Sequence, residues 1–166
     1  MAITRLGGAN AISGTIPAAN VATLTSSNLP TGTIIQVTDQ VVISTQQTTS
    51  TGDYHDLTSA TLNITPTSTS NKILLQAQIN VECDTANSGH GLRFVRSGTT
   101  ILTTLNKYMV LGVSAGDRHT STFTYVDSPS STSQLTYKIQ VASHGSKQIH
   151  FQNSAQSTFI AMEIKG

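Results

Sequence analysis

Residues 72–83 constrain the fold more than any other stretch of the chain. They read KILLQAQINVEC, and aliphatic side chains fill every second position from Ile73 to Val81. Successive side chains of a β-strand point to opposite faces, so this alternation predicts a strand with one apolar face. Shorter alternating runs recur from Thr33 onward, separated by Gly, Ser, Asn and Pro, and no long stretch keeps a helical period. The sequence therefore predicts an all-β protein.

The alternating runs predict strands that pair into two sheets. We predict these at 33–44, 57–65, 72–83, 90–97, 99–104, 119–127, 134–142, 148–152 and 157–164. Residues 105–116 fit either a further strand or a wide loop. Ser and Thr exceed a quarter of the chain while charged residues make up 10%, which suits strands and turns. The fold class expected is an all-β, antiparallel two-sheet sandwich of jelly-roll type.

The first 32 residues differ from the rest. They are rich in Gly, Ala, Asn and Ser, and their scattered aliphatics keep neither a helical nor a strand period. Such a segment cannot bury enough apolar surface to fold alone. We therefore expect two regions, an extended N-terminal arm at 1–32 and a β-sandwich knob domain at 33–166.

Charge and composition argue against several classes of partner. The net charge of +1 gives no electrostatic reason to bind nucleic acid or a membrane surface. The sequence has no apolar run of the roughly 18 residues that a membrane span needs, and residues 1–10 lack the apolar core of a secretory signal. Cys83 is the single cysteine, so no intrachain disulfide forms, and we expect a buried, inert thiol.

The last predicted strand carries apolar residues on both faces. We expect Ile160, Met162 and Ile164 to face the core. The other face, with Phe159, Ala161 and Glu163, would then form a subunit interface. Glu163 would need a donor there, with Lys72, Arg93, Arg96 and Lys138 as candidates. A solvated Glu163 on an exposed face fits the sequence equally well.

Several stretches resemble short structural proteins of tailed bacteriophages, of the marine type. The opening MAITRLGGANAISGTIP is similar to their N-terminal arm, and LTSATLNITPTSTSNKILLQAQINV to a strand pair that they share. LRFVRSGTTI, YVDSPSSTSQLTYKIQV and the ending STFIAMEIKG resemble further segments in the same order. The resemblance spans nearly the whole chain.

The resemblance implies a virion surface protein with a C1q/TNF-like jelly-roll knob and no catalytic motif. Such a protein is made in the bacterial host cytoplasm, assembles as a homotrimer and attaches to capsid or tail proteins through its arm. Here Ile3, Arg5, Leu6, Ile12 and Ile16 would make that attachment. We expect a capsid decoration or cement protein, with a tail- or head-fibre knob as the alternative. A host surface glycan is a further candidate partner, and the 83–91 loop differs from the family pattern.

No residue pattern predicts catalysis, a cofactor or a metal. Asp53, His55 and Asp56 lie close in sequence, but their spacing fits no known metal motif. Four further histidines lie on separate predicted strands or loops, and a pH-sensing set would require them to converge in space. No nucleophile motif occurs. A polysaccharide depolymerase with paired carboxylates remains the least favoured function.

Overall fold

The structure is a computed structural model, which describes residues 28–43, 47–50, 52–103, 111–112, 114–144, 147–153 and 155–166. Within these ranges the chain forms β-strands and no α-helix. The strands are β1 (Ile34–Val37), β2 (Val41–Ile43), β3 (Gln47–Thr49), β4 (His55–Ile64), β5 (Lys72–Cys83), β6 (Ser88–Arg96), β7 (Thr99–Thr103), β8 (Leu111–Gly112), β9 (Asp117–Asp127), β10 (Leu135–Ser143), β11 (Ile149–Phe151) and β12 (Ser157–Ile164). None of the described segments is a helix long and apolar enough to cross a membrane.

The strands form two antiparallel sheets. In the first sheet β9 pairs along one edge of β5, while β12 and β11 pair with successive parts of its other edge. Strands β1 and β2 continue beyond β12, and β3 continues beyond β11. The second sheet has the order β4–β10–β6–β7, and β8 also pairs with β6. The predicted two-sheet sandwich is confirmed.

The core lies between the two sheets. The inward side chains of β5, from Ile73 to Cys83, alternate with outward ones that are polar except for Leu74, as their spacing in the sequence predicts. Three aromatic rings join the sheets: Phe94 on β6 stacks on Phe123 at 4.3 Å and on Phe159 at 5.6 Å. Cys83 is fully buried, as the sequence predicted.

The predicted strands agree closely with the observed ones, apart from the first. The single strand expected at 33–44 is divided into β1 and β2. Between them, the backbone N–H of Thr38 donates to the Ala161 carbonyl at 2.9 Å, and its hydroxyl accepts from the Ala161 N–H at 3.0 Å. These hydrogen bonds attach the segment between β1 and β2 to β12 at Thr38. β3 follows as a short strand that the sequence did not indicate.

The face assignment of the last strand was wrong. Phe159, Ala161 and Glu163 are fully buried inside the chain's own sandwich, so it is this face that packs on the core. Ile160, Met162 and Ile164, the residues expected in the core, are only partly buried. The cross-strand register fixes this outcome, because Phe159 lies opposite the inward-facing Ala77. Because β12 has apolar residues on both faces, the sequence alone did not indicate which face packs on the core.

A two-residue turn joins β6 to β7. Both of its residues have positive φ, 46° at Ser97 and 89° at Gly98. This is the backbone of a type I′ hairpin turn, whose twist matches that of the flanking strands. The pair Ser-Gly supplies it because Gly adopts positive φ without steric cost.

Candidate functional site

The outward face of the first sheet carries an apolar surface that the described residues leave uncovered. Four large hydrophobic side chains in the described part of the chain are strongly exposed: Ile34 (50%), Val37 (54%), Val42 (49%) and Val126 (46%). All four lie on strands of this one sheet. With the partly buried residues that lie between them, they define what we term the apolar face: Ile34, Val37, Val42, Leu74, Val126, Ile160, Met162 and Ile164.

The register of the strands makes the apolar face continuous. Val37 on β1 lies opposite Met162 on β12, and Met162 in turn lies opposite Leu74 on β5. Leu74 lies opposite Val126 on β9, so one apolar row crosses four strands. Residues directly opposite each other in antiparallel strands point to the same side of the sheet. A second apolar pair, Ile34 opposite Ile164, borders this row.

The first described residues lie beside the end of β12, next to the apolar face. The Gly32 N–H donates to the Lys165 carbonyl at 2.8 Å, and the Lys165 N–H donates to the Thr33 carbonyl at 2.9 Å. The Lys165 ammonium also binds the Leu29 carbonyl. Residues 1–27, with most of the predicted arm and its contact residues Ile3, Arg5, Leu6, Ile12 and Ile16, lie outside the described residues.

Glu163 binds groups of its own chain instead of a subunit partner. Its Oε1 atom accepts hydrogen bonds from the Thr67 N–H at 2.6 Å, the Thr67 hydroxyl at 3.0 Å and the Asn71 side-chain amide at 2.6 Å. Thr67 and Asn71 both lie in the loop between β4 and β5. The carboxylate is fully buried, and these three donors replace its hydration. Glu163 therefore fixes this loop to the last strand.

Three of the four cations predicted as partners of Glu163 bind other groups. Arg96 binds Asp127 at 2.7 Å, and Lys138 binds Asp56 at 2.6 Å. Arg93 donates through Nε to Gln140. Sequence reasoning found that Glu163 needs a donor but chose charged residues, whereas a neutral amide and a backbone N–H fill that role.

The sequence cluster Asp53, His55 and Asp56 does not form a shared ligand set. His55 contacts the backbone carbonyl of Asp53 through Nδ1 at 3.2 Å. The carboxylate of Asp56 instead accepts hydrogen bonds from Lys138 and Gln140, which lower its pKa, with the Lys138 bond contributing most. Across the described part of the chain, no three His, Cys, Asp or Glu side chains group as a metal site would require.

Two of the scattered histidines converge. His90 on β6 and His119 on β9 stack with ring centroids 5.1 Å apart, and His90 is fully buried. The Nε2 atom of His90 contacts the Ser121 hydroxyl at 3.0 Å, and the ring meets Phe151 edge-on. Burial lowers the pKa of His90 to about 3, with a smaller effect from His119. Burial also lowers the pKa of His119.

A polar half of the same outward sheet face lies beyond the apolar face. It contains a cavity of about 150 Å³ lined by residues of β5 and β9 and by Asn153 and Ala155. Glu82 accepts hydrogen bonds there from Arg118 Nε at 2.7 Å and from the Asn153 amide at 2.6 Å. The Thr120 hydroxyl donates to the Asn80 side-chain oxygen at 2.6 Å. Sequence reasoning missed this site, because its residues come from three separate segments.

Comparison with known proteins supports the fold. No family model and no curated protein matches the sequence. Among solved structures, VP2 of infectious bursal disease virus in a subviral particle aligns with a TM-score of 0.52 over 79% of this chain, at 14% identity. VP2 of the Gx strain of that virus aligns with the same TM-score at 15% identity. This chain spans about a third of the VP2 chains, 33% and 32% respectively. The jelly-roll sandwich is thus shared with a viral protein.

Proposed function

We propose that this protein is a non-enzymatic bacteriophage virion structural protein, a trimeric surface decoration protein that attaches to the capsid through its N-terminal arm. The observation that carries the proposal is the apolar face, which gathers the exposed large hydrophobic side chains of the described chain on one sheet. The jelly-roll likeness to VP2, which forms subviral particles, favours a virion role. The tailed-bacteriophage assignment rests on the sequence resemblance.

The occupant proposed for the apolar face is the same face of other copies of this chain. Contiguous apolar surfaces of this kind on soluble proteins commonly mark association sites. The eight members are all uncharged, and the exposed cation Lys72 lies at the border of the face, opposite Ile164. Burying the exposed half of each Val or Ile contributes roughly 1 kcal/mol, and several such residues per subunit offset the cost of association. If three subunits pack around a three-fold axis, the apolar faces of their first sheets are buried against one another.

The position of the arm fits attachment from one end of this trimer. The described chain begins beside Lys165, so three arms would leave the assembly from the same end. Ordering a free arm costs about 1–2 kcal/mol per residue, which weakens the binding of any single arm. Linking three arms in one trimer raises the effective concentration of the second and third, and so raises apparent affinity by about 100- to 10,000-fold.

The attachment is tested with a full-length variant in which Ile3, Leu6, Ile12 and Ile16 are replaced by Ser. We expect this variant to stay trimeric in solution while its incorporation into particles falls at least about 10-fold, since avidity multiplies each loss. A second variant lacking residues 1–27 retains the contacts of Leu29 and Gly32 to Lys165 and should behave alike. Normal incorporation of both variants would reject the arm as the anchor.

A host-recognition knob on a tail or head fibre is the alternative function. The polar cavity at the far end of the sheet favours it, because a fibre tip needs a site for its receptor. Copy number on purified particles separates the two roles: hundreds of copies indicate decoration, whereas a few dozen or fewer indicate a fibre. A depolymerase is tested by incubating the protein with host surface polysaccharide, where cleavage would overturn the non-enzymatic proposal.

A further inference from the structure

We infer that the cavity in the polar half of the first sheet binds a neutral sugar unit of a polysaccharide or glycan. Its walls come from Asn80 and Val81 on β5, from Arg118, His119 and Thr120 on β9, and from Asn153 and Ala155 after β11. Its volume of about 150 Å³ suits a ligand the size of one ring, well below the roughly 300–1,000 Å³ of a site for drug-sized ligands.

Hydrogen bonds hold the polar side chains that line the cavity in place. Glu82 holds both Arg118 and Asn153, and the Asn80 oxygen holds the Thr120 hydroxyl. The Asn80 amide binds the Gln156 carbonyl on the other side. Because these contacts fix four side chains that line the cavity, Asn80, Arg118, Thr120 and Asn153, little conformational entropy is lost when a ligand binds.

Hydrogen-bonding capacity remains after these contacts. Only Nε of Arg118 has a partner in the described chain, so both of its terminal nitrogens are available to donate. The side-chain oxygen of Asn153 and a lone pair of Thr120 are available to accept. His119 faces the opposite, inward side of β9, where it lies opposite Val81 and stacks on His90, so Arg118, Thr120 and Asn153 supply this capacity.

The charge balance favours a neutral hydroxylated ligand over an anion or a metal. Glu82 neutralises Arg118 at 2.7 Å, so a phosphate would gain little from the guanidinium. A cation would find only one carboxylate here, already occupied by two donors. Adjacent hydroxyls of a sugar ring both donate and accept, which matches the mixed set of donors and acceptors that remains.

The location of the cavity suits contact with a host surface, and this step rests on the proposed function. Asn80 lies eight positions along β5 from Lys72, at the end opposite to the point where the arm begins, about 26 Å away at a rise of about 3.3 Å per residue. In a particle-bound trimer the cavity would therefore lie at the end of the sheet that is farther from the particle.

The test uses the purified full chain and ligand-observed NMR with glucose, galactose and N-acetylglucosamine, each tested separately, and with inorganic phosphate. We expect at least one sugar to bind with a dissociation constant on the order of 1 mM. Thr120→Val and Arg118→Gln each remove polar atoms of the cavity and should weaken binding by about 2- to 10-fold. The matched control is Thr122→Val, on the same face of β9 but outside the cavity lining.

Three results would overturn the inference: no sugar binds, phosphate binds in place of the sugars, or Thr120→Val retains full affinity. Light scattering on the same samples separates this inference from the proposed function. A trimer that binds no sugar rejects the sugar site alone, whereas a monomer that binds sugar rejects only the trimer.

Discussion

At the scale of single residues, buried polar groups determine what the structure tolerates. Glu163 is an acid inside a strand of a β-sandwich, and three hydrogen bonds from Thr67 and Asn71 stabilise it there. Its sequence neighbours gave no sign of this, because Thr67 and Asn71 lie in a loop more than ninety positions away. The need for a donor was predictable from burial rules, but the donor's identity depended on tertiary structure.

Removing the Glu163 carboxylate should destabilise the chain itself. In Glu163→Leu the Asn71 amide and the Thr67 N–H lose their acceptor, so we expect a loss of about 3 kcal/mol in the free energy of unfolding. Glu163→Gln keeps an oxygen acceptor and should lose only about 1 kcal/mol. Urea unfolding at one fixed protein concentration measures both. An unchanged free energy of unfolding in Glu163→Leu would contradict this role of the carboxylate.

The His90–His119 pair should make the fold sensitive to acid. Because the folded pKa of His90 is about 3 and its ordinary value is 6.5, the unfolded chain binds more protons as the pH falls below about 6.5. Stability then decreases toward acid, until the pH reaches the folded value. Between pH 7.5 and pH 5 this one group should remove about 2 kcal/mol of stability.

Urea unfolding at both pH values checks this acid effect. His90→Gln should reduce the difference in unfolding free energy between pH 7.5 and pH 5 by about 2 kcal/mol. His55→Gln, on β4 and outside the stacked pair, should leave that difference unchanged. An equal pH dependence in the wild type and in His90→Gln would contradict the prediction.

At the scale of secondary structure, local patterns predicted most strands but not how they face one another. The run from Ile73 to Val81 determined both the strand and its inward face, since three of its four alternate positions, Gln76, Gln78 and Asn80, are polar. β12 has apolar residues at both parities, so only its register against β5 decides which side is buried. The interruption at Thr38 likewise depends on Ala161, more than a hundred positions away.

The turn between β6 and β7 should depend on Gly98. Gly98→Ala forces a side chain into positive φ, and no neighbouring atom lies within 4 Å of the new Cβ, so backbone strain alone should cost about 1–2 kcal/mol. Ser97→Gly, in the preceding turn position, relieves a positive φ and should not destabilise. Thermal unfolding of the two variants distinguishes them. An unchanged midpoint in Gly98→Ala would contradict the I′ assignment.

At the scale of the whole molecule, the outward face of one sheet is divided into an apolar half and a polar half. The apolar half lies near the start of β1 and the end of β12, where the described chain begins, and the polar half carries the cavity. The sandwich itself was predictable from alternation and turn spacing. This division was not, because it arises only when β1, β12, β5 and β9 lie side by side.

The central claim is that copies of the chain associate through the apolar face, and light scattering of the full-length protein at micromolar concentration tests it most directly. We predict a mass three times the 17.5 kDa of one chain. Val37→Asp should lower that mass toward the monomer, because it places a charge in the apolar row, while Thr122→Asp on the polar half should not. A wild-type mass of 17.5 kDa, or a trimer that Val37→Asp leaves intact, would contradict the account.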